Sequence, residues 1–355
     1  MTARGTDEGS TPMDGPDATT TTGRPVAPGR RTGRLRGWGG VGSMAAACAL
    51  ALAVTVSVLL CPGRDAGHRA GTSGTGVAHA RQAVATRSCR GPEASLRPSA
   101  AAGPAVRRIQ ARGYLVVGVD QSSYLWGYRD PATGRITGFD IDLVRAIARD
   151  LLGPDPRIVY KTVPTDERIP AIRSRQVDMV VRTMTVNCDR IRQVAFSTAY
   201  FVAGQQLLVP RAGSEVTGFD TSLKGKNVCT ASGSTGQALL DEGAHGARVV
   251  LVPNQLDCLV RLQLGQVDAV LTDNALAAGQ AAQDPAVHLI GAPLTREPYA
   301  VAMNPADTDL VRRVDKVLDD YRGGGASGPW MRAYTKWLAR DLPGVTGPPA
   351  PRYRD

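Results

Sequence analysis

Histidine and metal-spaced cysteine are what this 355-residue sequence has least of. His68, His79, His245 and His288 are its four histidines, and none stands with a nucleophile or a metal partner at a recognisable spacing. That removes the sequence grounds for a hydrolytic triad or a zinc site. The six cysteines contain no C-x-x-C pair, which sets aside metal ribbons and dithiol redox motifs. No enzyme activity, cofactor or metal is therefore expected. Charge is absent from Val41 to Cys61, 21 residues built mainly from Ala, Leu and Val. A run of that length can cross a bilayer as a helix.

Arg30, Arg31, Arg34 and Arg36 precede this run, which places residues 1–40 in the cytoplasm and everything later outside. Residues 1–40 are rich in Gly, Thr, Pro and Arg without apolar periodicity, and read as a disordered basic tail. The expected location is the cell membrane, with 41–61 as an uncleaved anchor and the folded part on the extracytoplasmic side. A second reading makes Cys61 a lipidated cysteine, although Leu60 stands where Gly or Ala is usual. Ala78-His79-Ala80 resembles a cleavage site but lies too far past the apolar run.

The net charge of +10 invites a nucleic-acid reading, which its location argues against. Residues 62–112, read as a basic flexible stalk, hold nine arginines against Asp65 and Glu93, whereas the chain from 113 onward is almost neutral. A basic stalk beside a membrane suits anionic lipid or cell-wall polymer, not nucleic acid. Outside the apolar run four cysteines remain, Cys89, Cys188, Cys229 and Cys258, and an oxidising compartment allows them three pairings. Cys229 with Cys258 is favoured, because both lie in one βα-rich stretch, which leaves Cys89 with Cys188. The bland alternative makes Cys188 a small buried residue.

From residue 113 short β-branched runs alternate with amphipathic segments, the pattern of βαβ units. Strands are expected at Tyr114–Val119, Ile158–Val163, Val177–Val181, Asn227–Thr230, Arg248–Val252, Ala269–Thr272 and His288–Ile290. Helices are expected at Phe139–Leu152, Arg168–Arg173, Thr235–Glu242, Leu256–Leu264, Ala275–Gln283, Leu310–Tyr321 and Trp330–Ala339. One internal echo stands out: Gln176-Val177-Asp178 and Gln266-Val267-Asp268 each follow a helix and open a buried strand. Two similarly built α/β lobes would produce it.

In open parallel sheets ligands bind beyond the carboxyl ends of the strands. After the first echo strand come Arg182, Thr183, Thr185 and Arg190; after the second comes Asp273. A zwitterionic amino acid needs such a set: a forked guanidinium for its carboxylate, and hydroxyls with an Asp for its ammonium. Ala231-Ser232-Gly233-Ser234-Thr235-Gly236 lies between a strand and a helix, where backbone N–H groups favour an anion. An ordinary helix cap is its alternative reading.

Gly138-Phe139-Asp140-Ile141-Asp142, Met184-Thr185 through Arg190 to Phe196-Ser197 and Tyr200, and Val267-Asp268 through Asp273 resemble the motifs of the family 3 solute-binding proteins, which serve ABC transporters for polar amino acids. Asn187 departs from the usual Thr. The resemblance runs over residues 105–342 and implies an α/β, two-lobed periplasmic-binding-protein type II fold, each lobe a mostly parallel sheet flanked by helices. Lobe 1 is expected at 113–203 and 300–342, lobe 2 at 204–299, with a Pro-rich tail at 343–355. The resemblance gives Arg190 the α-carboxylate, Thr183, Thr185 and Asp273 the ammonium, and Ser234 and Thr235 a reach to the carboxylate from the second lobe. Tyr124 is a further candidate wall residue. Asp166-Glu167-Arg168-Ile169-Pro170 is similar to a stretch of acidic amino-acid binders whose Arg meets the distal carboxylate, which makes Arg168 a reader of glutamate or aspartate. The Asp120 region and the Ser/Thr loop look most like actinobacterial glutamate-binding proteins. Asp120 itself stands where enteric members carry a second Arg, and it leaves glutamine open. Arg182 either supplies that charge or pairs with a neighbouring carboxylate.

The partners so implied are glutamate or another small polar amino acid, ABC permease subunits and the membrane. The same lobe closure would also serve an anchored sensor that signals occupancy to a membrane partner or kinase pathway. Dehydratases and transglycosylases share this fold, but the histidine poverty noted above speaks against them.

Overall fold

A computed structural model describes residue 89 and residues 91–354. The expected cytoplasmic tail, the apolar run 41–61 and most of the stalk lie outside the described residues. Among the described residues no helix is long and apolar enough to cross a membrane.

Two five-stranded sheets carry the body. The first has the order β5-β1-β6-β15-β7, formed by β1 (Tyr114–Val119), β5 (Arg157–Thr162), β6 (Met179–Val180), β7 (Ala195–Phe196) and β15 (Ala302–Met303). The second has the order β11-β10-β12-β9-β13, formed by β9 (Gln205–Pro210), β10 (Asn227–Ala231), β11 (Arg248–Val252), β12 (Ala269–Asp273) and β13 (Val287–Ile290). In each sheet three neighbouring strands pair parallel, and the other pairings are antiparallel. The sheets are mixed with most strands parallel: a single strand, β15 in the first and β9 in the second, runs against the other four. The physical reason is the crossover: β9 and β15 enter directly from the connecting strands and must run against the βα units they join. Those connecting strands, β8 (Phe201–Ala203) and β14 (Glu297–Tyr299), form an antiparallel pair between the sheets.

Burial explains why the parallel strands read clearly. Leu115, Val117 and Val119 of β1 are buried, as is every residue of β12. Strands covered on both faces read as continuous apolar runs. Helix α2 (Phe139–Leu152) buries Ile141, Val144, Ile147, Ala148 and Leu151 on one face. Both sheets have apolar cores on their two sides.

The stalk reading fails for residues 91–112. Helix α1 (Pro104–Arg112) begins with Pro at its first turn and buries Ala105, Val106 and Ile109 in the core of the first sheet. Ser95 is buried and its main chain bonds that of Arg352 and Arg354. The arginines of α1 gave the segment a stalk-like charge, while its apolar stripe is only three residues wide. Both disulfides, Cys89–Cys188 and Cys229–Cys258, are present as expected, with Cα separations of 5.7 and 5.5 Å.

Candidate functional site

The ends of β6 and β12 meet at one cavity. Thr165, Arg168, Arg182, Thr183, Thr185 and Arg190 line it from the first sheet, and Gln205, Ser234, Thr235, Gln255, Asp273 and Leu276 from the second. Eight of the ten expected binding residues are thus brought together; Asp120 and Tyr124 are not in its wall. Asp120 lies behind it. One of its oxygens accepts from Ser122 and the backbone of Gln121 and Ser122; the other accepts from Ser123 and pairs with Arg182 at 2.9 Å. Burial pushes the Asp120 carboxyl up, but the Arg182 charge and the serine hydrogen bonds outweigh it and hold the pKa below its usual value. Arg182 therefore follows the structural half of its expectation. Tyr124 packs edge-on against Tyr128 instead.

Arg168 and Arg190 differ from Arg182. Both are almost fully buried, and neither has a carboxylate within 4.0 Å among the described residues. Arg168 donates only to the carbonyls of Thr165 and Arg182, at 2.7 and 3.4 Å. Arg190 donates to the carbonyl of Thr185 at 2.8 Å and, across the cleft, to that of Gly233 at 3.0 Å. Burial drives the pKa of Arg168 well down, and the neighbouring guanidiniums of Arg190 and Arg182 push the same way. Burial also lowers that of Arg190, with Glu297 and Asp273 opposing. Two buried cations with no carboxylate in contact among the described residues make a strong attraction for an anionic ligand.

Asp273, at the end of β12, is the opposite charge. It accepts from the Gln205 amide and, at 2.6 Å, from the Tyr299 hydroxyl. Burial and then Glu297 raise its carboxyl to about 7, against the pull of Tyr299, Arg190 and Arg168. Thr183 is held at φ +40°, and its backbone N–H donates to Asp140 at 3.0 Å. Ser234 caps the following helix, α4 (Thr235–Glu242), by accepting from the Gln237 N–H. The capping alternative thus holds for Ser234, which nevertheless lines the cavity.

Sequence reasoning missed Thr165, Gln205, Gln255 and Glu297. Gln205 Oε1, Gln255 Oε1 and Glu297 Oε2 are buried without a partner among the described residues. No motif flags the glutamines; Gln205, at the start of an antiparallel crossover strand, was beyond the parallel-strand rule. The two halves are in contact: the Thr165 N–H donates to the Pro253 carbonyl at 3.2 Å, and the Trp126 indole donates to that of Ala275 at 3.0 Å. The cleft is closed.

Residues 115–340 match the family model of bacterial extracellular solute-binding proteins, family 3. The chain is 35% identical over 233 residues to the ABC transporter glutamine-binding protein GlnH of Bacillus subtilis (strain 168), covering 66% of this chain and 84% of that one. It is 28% identical over 254 residues to the glutamate/aspartate import solute-binding protein of Salmonella typhimurium (strain LT2), covering 68% and 82%. Among solved structures, an ancestral arginine-binding protein bound to glutamine matches with a TM-score of 0.59 and 34% identity, covering 64% of this chain and 98% of that one.

Proposed function

From the premise that this chain belongs to the bacterial extracellular solute-binding proteins, family 3, we propose that it captures an acidic amino acid, glutamate above all, outside the cytoplasm and delivers it to an ABC permease. The observation that carries this reading is the charge inventory of the cavity. Two buried guanidiniums lack a protein carboxylate, and one carboxylate, Asp273, faces them. Glutamate or aspartate brings two carboxylates and one ammonium, which matches that inventory group for group. In this reading Arg190 takes the α-carboxylate, Arg168 the distal carboxylate, and Asp273 with Thr183 and Thr185 the ammonium. Ser234 and Thr235 meet the α-carboxylate from the second lobe. A cationic side chain such as arginine would set its own charge against Arg168.

Lobe 1 (113–203 and 300–342) and lobe 2 (204–299) close on the ligand, which favours the closed state through contacts made only there. Residues 41–61 hold the assembly at the outer face of the membrane. Glutamine is the second reading, favoured by the unpartnered carbonyl oxygen of Gln255, which would accept from a ligand amide.

Calorimetry of the purified protein with glutamate, aspartate, glutamine and arginine, repeated on Arg168→Ala, separates these readings. Removing one partner of a buried charge pair costs about 3–5 kcal/mol, or roughly two to three and a half decades of affinity. Arg168→Ala is expected to lose that much for glutamate and less than about tenfold for glutamine. Equal losses for both ligands would refute the distal role of Arg168.

A further inference from the structure

Glu297 is a buried carboxylate that the binding scheme leaves unused. It is 4% exposed and lies on β14, one of the two strands that connect the sheets. Its Oε1 accepts from the Thr295 hydroxyl at 2.7 Å, while Oε2 is buried and has no partner among the described residues. A carboxyl oxygen buried without a partner is costly, which calls for a role. The hydrogen bonds around it lead to the cavity. Thr295 Oγ1 also accepts from the backbone N–H of Gln205 at 3.0 Å, and the Gln205 side chain donates to Asp273. Tyr299 stands two residues along β14 from Glu297, on the same face of the strand, and its hydroxyl donates to the other Asp273 oxygen.

Glu297 and Asp273 are therefore wired together through the connecting strands and not through the ligand. The charged and titratable groups that bear on this pair are Arg190, Arg168 and Tyr299. Arg296, next in the chain, turns to Glu93 instead.

We propose that Glu297 is a positioning residue of the ammonium subsite, a buried negative charge that keeps a proton on Asp273 until the ligand ammonium replaces it. The idea rests on the reading of Asp273 as the ammonium acceptor. Burial, and with it the second carboxylate in the same dry site, resists ionisation of Asp273, which holds its proton up to about 7. An arriving ammonium supplies the missing positive charge, so Asp273 ionises on binding and its proton leaves to solvent. Affinity then falls as pH drops through neutrality. With a single proton lost near pH 7, the loss between pH 8 and pH 6 is about tenfold. Glu297→Gln removes the like charge, lowers the Asp273 pKa and flattens this dependence.

The test is glutamate calorimetry at pH 6 and pH 8 on the full protein and on Glu297→Gln, with proton release measured at pH 7 in two buffers of different ionisation enthalpy. The unaltered protein is expected to weaken about tenfold from pH 8 to pH 6 and to release about half a proton per glutamate at pH 7. Glu297→Gln should weaken less than about threefold over that range. A merely structural role would shift affinity at both pH values alike and leave their ratio unchanged, and that outcome would overturn the inference. So would the absence of proton release from the unaltered protein, a measurement that holds even if the variant does not fold. Failure to bind glutamate, aspartate or glutamine at either pH would defeat the amino-acid reading itself, and this inference with it.

Discussion

Arg190 reaches both walls of the cleft: its guanidinium holds the Thr185 carbonyl on its own side and the Gly233 carbonyl on the other. Neither bond neutralises it, which leaves it open to the ligand carboxylate proposed as its counter-ion. Arg190→Ala is expected to weaken glutamate binding by at least about two decades, the affinity equivalent of a lost buried charge pair. Asp273→Asn is expected to be nearly as severe, since the amide keeps a partner for Tyr299 but cannot neutralise an ammonium. Calorimetry reads both, and full affinity in Arg190→Ala would remove the site assignment. Asp273 was legible because it ends a buried strand, and Arg190 because it lies in the segment that follows one, where α/β sheets place their ligands. Glu297, flanked by Arg296 and Pro298, carries no such mark. Asp140 sat in plain view within the Gly138–Asp142 motif, yet its work was hidden. It accepts from the backbone N–H of Thr183 and from Tyr200, and so stabilises the left-handed turn that presents the cavity threonines. Asp120 misled for the complementary reason: its type suggested a ligand, while only the local serines and Arg182 reveal it as already satisfied.

At the scale of elements, the βα units were readable because they are buried on two faces or have a clear apolar stripe. The short strands were not. β2 (Ser122–Ser123), β3 (Gly127–Arg129) and β4 (Ile136–Thr137) form a small antiparallel sheet of two and three residues each, too brief for any periodicity to register. β8 and β14 are equally short, and it is their pairing across 94 residues of sequence that links the two sheets. The turn before α4 meets the opposite wall closely. Gly233 has φ +71°, and a Cβ there would lie 2.9 Å from the Asp166 Cα. Gly233→Ala therefore strains its own backbone by about 1 kcal/mol and forces the two walls apart where Arg190 crosses. The expected result is a roughly tenfold or greater loss of glutamate affinity with both sheets still folded by circular dichroism. Unchanged affinity would mean that the closed cleft does not depend on contact at 166 and 233.

At the scale of the molecule, Asp315 ties three distant stretches of chain together. It is fully buried within the helix Thr308–Arg322. One oxygen accepts from the Thr198 N–H and hydroxyl at 2.7 and 2.9 Å, and the other accepts from the Ser95 hydroxyl. Ser95 in turn pairs with the chain end at Tyr353. This is why the segment that looked like stalk belongs to the body: its small polar residues are the partners of a buried acid, a role invisible in local sequence. Burial raises the Asp315 carboxyl to about 6, although the Ser95 and Thr198 hydrogen bonds pull it down. Because the folded pKa lies above the usual 3.8, the native state holds this proton more tightly than the unfolded chain. The stability it brings is complete below pH 4 and is lost as pH rises towards 6. The shift corresponds to about 3 kcal/mol. Asp315→Asn cannot titrate, so its stability relative to the unaltered protein should rise by up to about that amount between pH 4 and pH 7. Urea unfolding at the two pH values measures it. Parallel pH dependences in the two proteins would show that Asp315 is ionised in the native state already at pH 4, with its hydrogen bonds outweighing its burial.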